Sequence, residues 1–184
     1  MNDFEIKILD FIQDKIACRF LDAVMPIISM FGDKGIFWIA LSLLFIIIPK
    51  TRKIGITMGT ALILGLIIGN GILKNLVGRI RPYDINSGFH LLVKKLSDYS
   101  FPSGHTLASF ECASVLMVKN KKIGIPALIL AVLVAFSRLY LYVHYPTDVL
   151  AGAILGTLFG LAAIFIVDKI YFKINQKSIK NKPL

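Results

Sequence analysis

Five stretches of this sequence run almost free of charge: Gly35–Ile48, Ile54–Leu73, Thr106–Val118, Ile123–Val143 and Val149–Ile170. A helix that crosses the hydrocarbon of a bilayer needs roughly 17–25 apolar residues. The second, fourth and fifth stretches reach that length alone, and the other two reach it once their polar ends are counted as interfacial. A chain of 184 residues that is 56 % hydrophobic cannot bury five such helices around an aqueous core. Lipid must therefore be the solvent. The expected fold class is all-α, a polytopic membrane helical bundle of five transmembrane helices preceded by an N-terminal amphipathic segment.

The net charge of +10 is the next constraint. Such a charge suits nucleic acid, but its distribution does not. Lys50, Arg52 and Lys53 lie between the first two apolar stretches. Lys119, Lys121 and Lys122 lie between the third and fourth, and Lys169, Lys173, Lys177, Lys180 and Lys182 follow the last. These clusters fall at alternate ends of successive spans, as the positive-inside rule requires of cytoplasmic loops. Nucleic acid is excluded as a partner, and the membrane lipids themselves are the expected partner of the basic tail. A multi-pass protein of the cell membrane with a cytoplasmic C-terminus follows. The segment before Gly35, the loop Val77–Phe101 and the turn around His144 then face outward. The whole chain, 1–184, reads as one membrane-embedded domain: an amphipathic segment over 1–32, a helical core over 33–171 and a basic cytoplasmic tail over 172–184.

In the N-terminal segment Phe4, Ile8, Phe11, Ile12, Ile16, Phe20, Val24 and Ile28 recur at helical spacing, with charges on other faces. This stripe suits a helix lying in the interface. The alternative, a sixth, short, tilted span over Ile16–Phe31, would carry Arg19 and Asp22 into the membrane at ~2.5–3.5 kcal/mol each. Gly152, Gly156 and Gly160 repeat every four residues, as do Gly55 with Gly59 and Gly65 with Gly69, which is the spacing of close helix packing. Within one chain that is the expected use; oligomeric state is not readable. Cys18 and Cys112 are isolated, so neither a disulfide framework nor a thiolate metal site is expected. The N-terminus carries no signal-peptide pattern.

The polar residues at the outward ends carry the chemistry. Lys74, Arg79, Arg81 and Pro82 close the Ile54 stretch, and Pro102, Ser103, Gly104 and His105 open the next. Ser137 and Arg138 close the fourth, and His144, Pro146 and Asp148 lead into the last. Four of these are cations on the side where the positive-inside rule predicts few, and costly residues in the wrong place point to function. Cations without a cluster of acids suit an anion. Ser103 can cap the helix that begins at Gly104, whose free amides favour phosphate, and arginine forks match phosphate oxygens. Lys74 and Arg81 share a helix face if the helix persists to Pro82. His144 and Asp148, four residues apart, can form an oriented imidazole, and His105 can move a proton. Each histidine alone would read as a structural hydrogen-bonding residue. Arg79 reads as a second headgroup contact or a solvated charge. His90, Lys94 and Lys95 read as ordinary loop polarity or part of a lid, and Glu111 as a hydrogen bond between helices.

Three motifs are shared with a known family. Lys74, six intervening residues, then Arg81 and Pro82 form the first; Pro102, Ser103, Gly104 and His105 the second; Ser137, Arg138, His144 and Asp148 the third. In their order and spacing the chain resembles the type 2 phosphatidic acid phosphatase (PAP2) family of membrane lipid phosphatases, roughly from Leu21 to Val167. The resemblance implies a hydrolase acting on a lipid phosphate or diphosphate, with the site on the extracytoplasmic face. It implies that His144 attacks phosphorus to give a phosphohistidine, Asp148 orients it, and His105 protonates the leaving group. Lys74, Arg81, Arg138, Ser103 and the Gly104 amide would hold the phosphoryl oxygens. No metal and no cofactor is implied. The small bacterial members that act on undecaprenyl diphosphate are the nearest match in size, with phosphatidylglycerophosphate or phosphatidate as the alternative substrate. A non-catalytic anion carrier would explain the cations but leave the His144–Asp148 pair without a task.

Overall fold

The computed structural model describes residues 3–86 and 88–180. The last residues of the expected basic tail, 181–184, lie outside them. Among the described residues nine α-helices follow in chain order: α1 Asp3–Lys15, α2 Arg19–Met30, α3 Ile36–Ile47, α4 Arg52–Leu64, α5 Lys74–Val77, α6 Pro82–Ile85, α7 Gly104–Lys119, α8 Lys121–Tyr140 and α9 Pro146–Lys180. A 3-10 turn, Asp33–Gly35, joins α2 to α3, and a π-helical segment, Gly65–Leu73, joins α4 to α5. No strand occurs among the described residues.

Among the described residues, four helical stretches are long and apolar enough to cross a membrane: Arg19–Ile47, Arg52–Ile85, Lys121–Tyr140 and Pro146–Gln176. The expected third span falls on α7, which at 16 residues is shorter than these and is enclosed by them. Its neighbour α9 comes close because Gly152, Gly156 and Gly160 face it. A Cβ at Gly156 would stand 2.5 Å from the carbonyl oxygen of Leu107, and one at Gly152 would stand 2.8 Å from that of Ser103. The glycine repeat is thus used for packing within the chain, where van der Waals contact must replace the hydrophobic drive that lipid does not supply. On the other side Trp38 of α3 is fully buried and donates its indole N–H to Ser109 Oγ of α7 at 3.0 Å. That bond satisfies a polar group where no water is at hand.

Lys53 of α4 and Lys119 of α7 both reach Asp168 of α9, at 2.8 and 2.9 Å. Two of the three basic clusters therefore meet the start of the third at one end of the bundle. The motif residues gather at the opposite end.

The N-terminal segment differs in detail from the expected stripe. It is two helices broken at Ala17–Cys18, and the face of α1 turned inward is Glu5, Leu9 and Ile12. Phe4, Phe11 and Phe20 point away and are exposed. Glu5 turns inward because it has partners there, described below. In α2, Asp22 accepts from Tyr140 Oη at 2.6 Å and Ser29 is hydrogen-bonded to Arg138, so α2 packs along the last turns of α8.

The helix that carries Lys74 does not run on to Arg81. It ends at Gly78, whose φ of 58° gives the left-handed cap that glycine adopts without strain. Arg81 lies in extended backbone, and Pro82 starts the short α6 instead of terminating a long helix.

Candidate active site

Lys74 and Arg81 converge through a residue that sequence reasoning missed. Asp98, in the loop before α7, accepts from Lys74 Nζ through Oδ2 and from Arg81 Nη2 through Oδ1, the latter at 2.6 Å. Arg81 also donates from Nε to the Asp98 carbonyl at 2.9 Å and from Nη1 to the Val143 carbonyl at 2.8 Å. Burial would raise the Asp98 carboxyl, but the hydrogen bond and charge of Lys74, joined by Arg81, hold it down at about 2. The two cations expected to take an anion thus hold one from the protein itself. The sequence signal for Asp98 was faint: one acid closing a loop stretch that also carries Lys94 and Lys95.

His144 sits in the turn between α8 and α9, 1 % exposed. Its Nε2 faces Arg81 Nη1 at 3.2 Å, and its Nδ1 lies 3.5 Å from Asp148 Oδ2. Burial is the main reason the imidazole stays neutral, its pKa falling to about 3; Asp148 opposes the shift, while Arg81 and Arg138 add to it. Asp148 is fully buried, and its Oδ2 also accepts from Ser100 Oγ at 2.5 Å and from the Tyr145 amide at 2.9 Å. Its Oδ1 accepts from Arg79 Nη1 at 2.6 Å. Arg79 is therefore neither solvated nor free to bind a headgroup, contrary to both readings of the sequence.

Ser103 occupies the N-cap position of α7, but its side chain makes no capping bond; its Oγ accepts from Thr106 Oγ1 at 3.0 Å instead. That leaves the first amides of α7, beginning at Gly104, without a side-chain partner from Ser103. His105 is mostly buried, and its nearest carboxylate is Asp33, 4.0 Å from Nε2. Arg138 is buried, hydrogen-bonded to Ser29, and keeps an Nε without a partner among the described residues. Among the described residues Glu111 does not make the expected interhelical bond: its Oε1 is buried without a partner there, pressed against the space that Gly65 leaves open.

Lys74, Arg81, Gly104, His105 and His144 line the polar end of one cavity of about 720 Å³. Its other end runs between α3, α4 and α7 past apolar residues such as Ile39, Ile46, Leu62 and Leu66. Such a space can take a molecule with an anionic head and a long apolar tail. Among the described residues, no group of three or more His, Cys, Asp or Glu side chains is arranged to hold a metal ion.

Residues 53–172 match the PAP2 superfamily. The undecaprenyl-diphosphatase of Sulfolobus acidocaldarius is 35% identical over 147 residues, 79% of this chain and 70% of that protein. The undecaprenyl-diphosphatase BcrC of Bacillus subtilis is 30% identical over 140 residues, 76% of this chain and 72% of that one. Among solved structures, the transmembrane PAP2-type phosphatidylglycerolphosphate phosphatase of Bacillus subtilis superposes with a TM-score of 0.70 at 30% identity, covering 92% of this chain and 85% of that chain.

Proposed function

This chain belongs to the PAP2 superfamily and is a membrane lipid phosphatase, and we propose that it hydrolyses undecaprenyl diphosphate with His144 as the nucleophile. The observation that carries the second half is the orientation of that imidazole. Arginine has only donors, so the Nε2 that faces Arg81 accepts, and the proton sits on Nδ1 toward Asp148. The lone pair of Nε2 then points at the Arg81 guanidinium, in the cation cluster, and is released for attack when that donor turns to a phosphoryl oxygen.

The reaction balances as two displacements. Nε2 attacks phosphorus while the bond from phosphorus to the leaving oxygen breaks. His105 supplies a proton to that oxygen. The imidazole, now bearing phosphate on Nε2 and a proton on Nδ1, carries positive charge that the Asp148 carboxylate stabilises. Water then attacks phosphorus, its proton passes to His105, and the P–N bond breaks to return neutral His144 and inorganic phosphate. Lys74, Arg81, Arg138, Ser103 and the Gly104 amide hold the phosphoryl oxygens, with charge-assisted bonds that tighten as negative charge develops. Asp98 leaves the cations when the substrate enters.

The substrate reading is supported by the two undecaprenyl-diphosphatases among the relatives and by the apolar length of the cavity. The similarity to a phosphatidylglycerolphosphate phosphatase favours that lipid as the second reading. Phosphate release by the purified protein from a panel of lipid phosphates separates the two. A preference of about tenfold, ~1.4 kcal/mol in transition-state binding, for the prenyl diphosphate is expected; an equal preference for phosphatidylglycerophosphate overturns the assignment.

The site lies on the extracytoplasmic face and the C-terminus in the cytoplasm, by the positive-inside rule applied to the Lys53–Lys119–Asp168 end of the bundle. With Cys18 replaced by serine, Lys94→Cys should react with an impermeant thiol reagent in intact cells. Reaction only after permeabilisation reverses the topology.

A further inference from the structure

Two arginines approach the His144–Asp148 pair from opposite ends. Both come from the short extended segment after Gly78, which is pinned by the Ser100 amide donating to the Arg79 carbonyl at 2.8 Å. In extended backbone, residues two apart leave the chain on the same side, yet here the guanidinium groups diverge: Arg81 ends on Nε2 of the imidazole and Arg79 on the far oxygen of the carboxylate. What draws Arg79 aside is α1. Its Nη2 is paired with Glu5 Oε2 at 2.5 Å, its Nη1 also donates to Thr147 Oγ1 at 2.7 Å, and its guanidinium lies over the Tyr145 ring at 3.9 Å.

Glu5 is itself only 3 % exposed. Its Oε1 accepts from the Thr147 amide at 3.0 Å and from Thr147 Oγ1 at 2.6 Å, at the first turn of α9. Burial would push the Glu5 carboxyl up, but these bonds and the Arg79 charge hold it below its ordinary range. A charged carboxylate carried into a buried position on α1, met by one arginine and one helix start, is costly unless all of its partners are in place. The partners are the residues on either side of Asp148.

We propose that Glu5 and Arg79 are positioning residues for the phosphatase reaction: through the chain Glu5–Arg79–Asp148 the N-terminal helix α1 fixes the carboxylate that orients His144. Arg79 supplies the only cation on Asp148 Oδ1 among the described residues, leaving Oδ2 to the Nδ1 side of the imidazole. Glu5 keeps Arg79 from swinging to the phosphate and ties α1 to the start of α9. The amphipathic segment is therefore part of the machinery and not only a membrane rest. This rests on the reading of His144 as nucleophile.

The test measures kcat and KM of purified variants on p-nitrophenyl phosphate, which needs no knowledge of the lipid. Arg79→Ala and Glu5→Gln should lower kcat, Arg79→Ala by on the order of 10–100-fold, with KM changed by less than about twofold. Arg79→Lys should recover part of the loss, because one charged donor returns. Combined with Asp148→Asn, Arg79→Ala should add little, since both act through one carboxylate. Arg79→Lys and Glu5→Gln keep the bulk of the side chains, so the comparison stands if the alanine variant fails to fold. A raised KM with kcat intact makes Arg79 a headgroup contact and overturns the proposal, as do losses that multiply in the double variant. His144→Ala with undiminished turnover overturns instead the nucleophile reading on which the proposal rests.

Discussion

Arg81 Nη1 stands 3.2 Å from His144 Nε2, closer than any carboxylate comes to either nitrogen of that ring. The same guanidinium is shared with the Asp98 carboxylate and three backbone carbonyls, so its fork is fixed before substrate arrives. In the proposed reaction these donors hold the equatorial oxygens of a trigonal-bipyramidal phosphorus attacked by Nε2. Vanadate, which adopts that shape, should inhibit, because a site complementary to the transition state binds its mimic tightly. Arg81→Lys keeps the charge and loses the fork. Its inhibition constant for vanadate should rise about tenfold or more, ~1.4 kcal/mol. Equal inhibition of both forms would mean that Arg81 acts by charge alone.

Acid should destabilise the fold in a defined window. The unfolded chain takes a proton on His144 at the ordinary pKa near 6.5, while the folded protein takes it only at about 3. Between those limits the unfolded state binds more protons, so stability is full above the upper limit and is lost as pH falls toward the lower. Asp98 acts in the same direction lower down: its stabilising charge is present above its ordinary value of 3.8 and is lost as pH falls toward about 2. The midpoint of thermal unfolding in detergent should decline on acidification, with a shallower slope for His144→Ala. In a ¹³C-histidine-labelled sample, the His144 ring resonance should hold still from about pH 8 to about pH 4. Titration near 6.5 would show that the imidazole is not held neutral.

In the proposed reaction Asp98 competes with substrate for Lys74 and Arg81. Asp98→Asn removes the charge at constant shape, and Lys74 is then buried without a counter-ion. The variant should melt earlier than the parent, and inorganic phosphate should restore its stability by filling the vacated cation pair. Phosphate should also inhibit it at about fivefold lower concentration, since a half-exposed ion pair is worth up to ~1 kcal/mol. Unchanged phosphate inhibition would show that Asp98 does not stand in the phosphoryl position.

The α7–α9 contact should tolerate no side chain at Gly156. A Cβ there meets the Leu107 carbonyl at 2.5 Å and Phe110 Cβ at 3.0 Å, and neither can move without shifting α7. Overpacking of this kind costs ~1–3 kcal/mol. Because α7 begins with Gly104 and His105 while α9 begins beside His144, the shift also separates the two halves of the site. Gly156→Val should lose thermal stability and turnover together, and full turnover in a stable Gly156→Val protein would show that this contact does not position the two halves of the site.

The motif residues were legible because their types and spacings are the chemistry: Lys74, Arg81, His105, Arg138, His144 and Asp148 all reach the end of the bundle opposite Asp168. Their partners were not, because those contacts join distant parts of the chain. Asp98 meets Lys74 from a loop without periodicity, and Glu5 meets Arg79 from a helix whose phase the apolar residues misreport. The stripe that carries Phe4 and Phe11 was read as lying in the membrane interface, and those two do face away from the bundle; nothing in its spacing told that Glu5, with Leu9 and Ile12, would turn inward. Local geometry was equally silent: nothing in Gly65–Leu73 announces a π-helix, and Ser103 holds a cap position without capping.

The two histidines should separate by leaving group. His144 is proposed to attack phosphorus, and His105, across the cavity at the start of α7, to protonate the departing oxygen. A nucleophile is needed whatever leaves. An acid matters most when the leaving oxygen is strongly basic, because an aryl oxide departs without a proton. His144→Ala should therefore abolish turnover of a lipid phosphate monoester and of p-nitrophenyl phosphate alike. His105→Ala should damage the lipid reaction by on the order of 10²–10⁴-fold and the aryl reaction far less. Trapping distinguishes the same roles independently: a base-stable, acid-labile phosphoenzyme should form from the aryl substrate in His105→Ala and be absent in His144→Ala. Each kcat/KM is compared on protein that elutes as a single symmetric species, so that misfolding is not read as chemistry. If His105→Ala loses both reactions equally while His144→Ala keeps the aryl one, the roles are exchanged, and the tautomer read from Arg81, which leaves no proton on Nε2 of His144, is wrong.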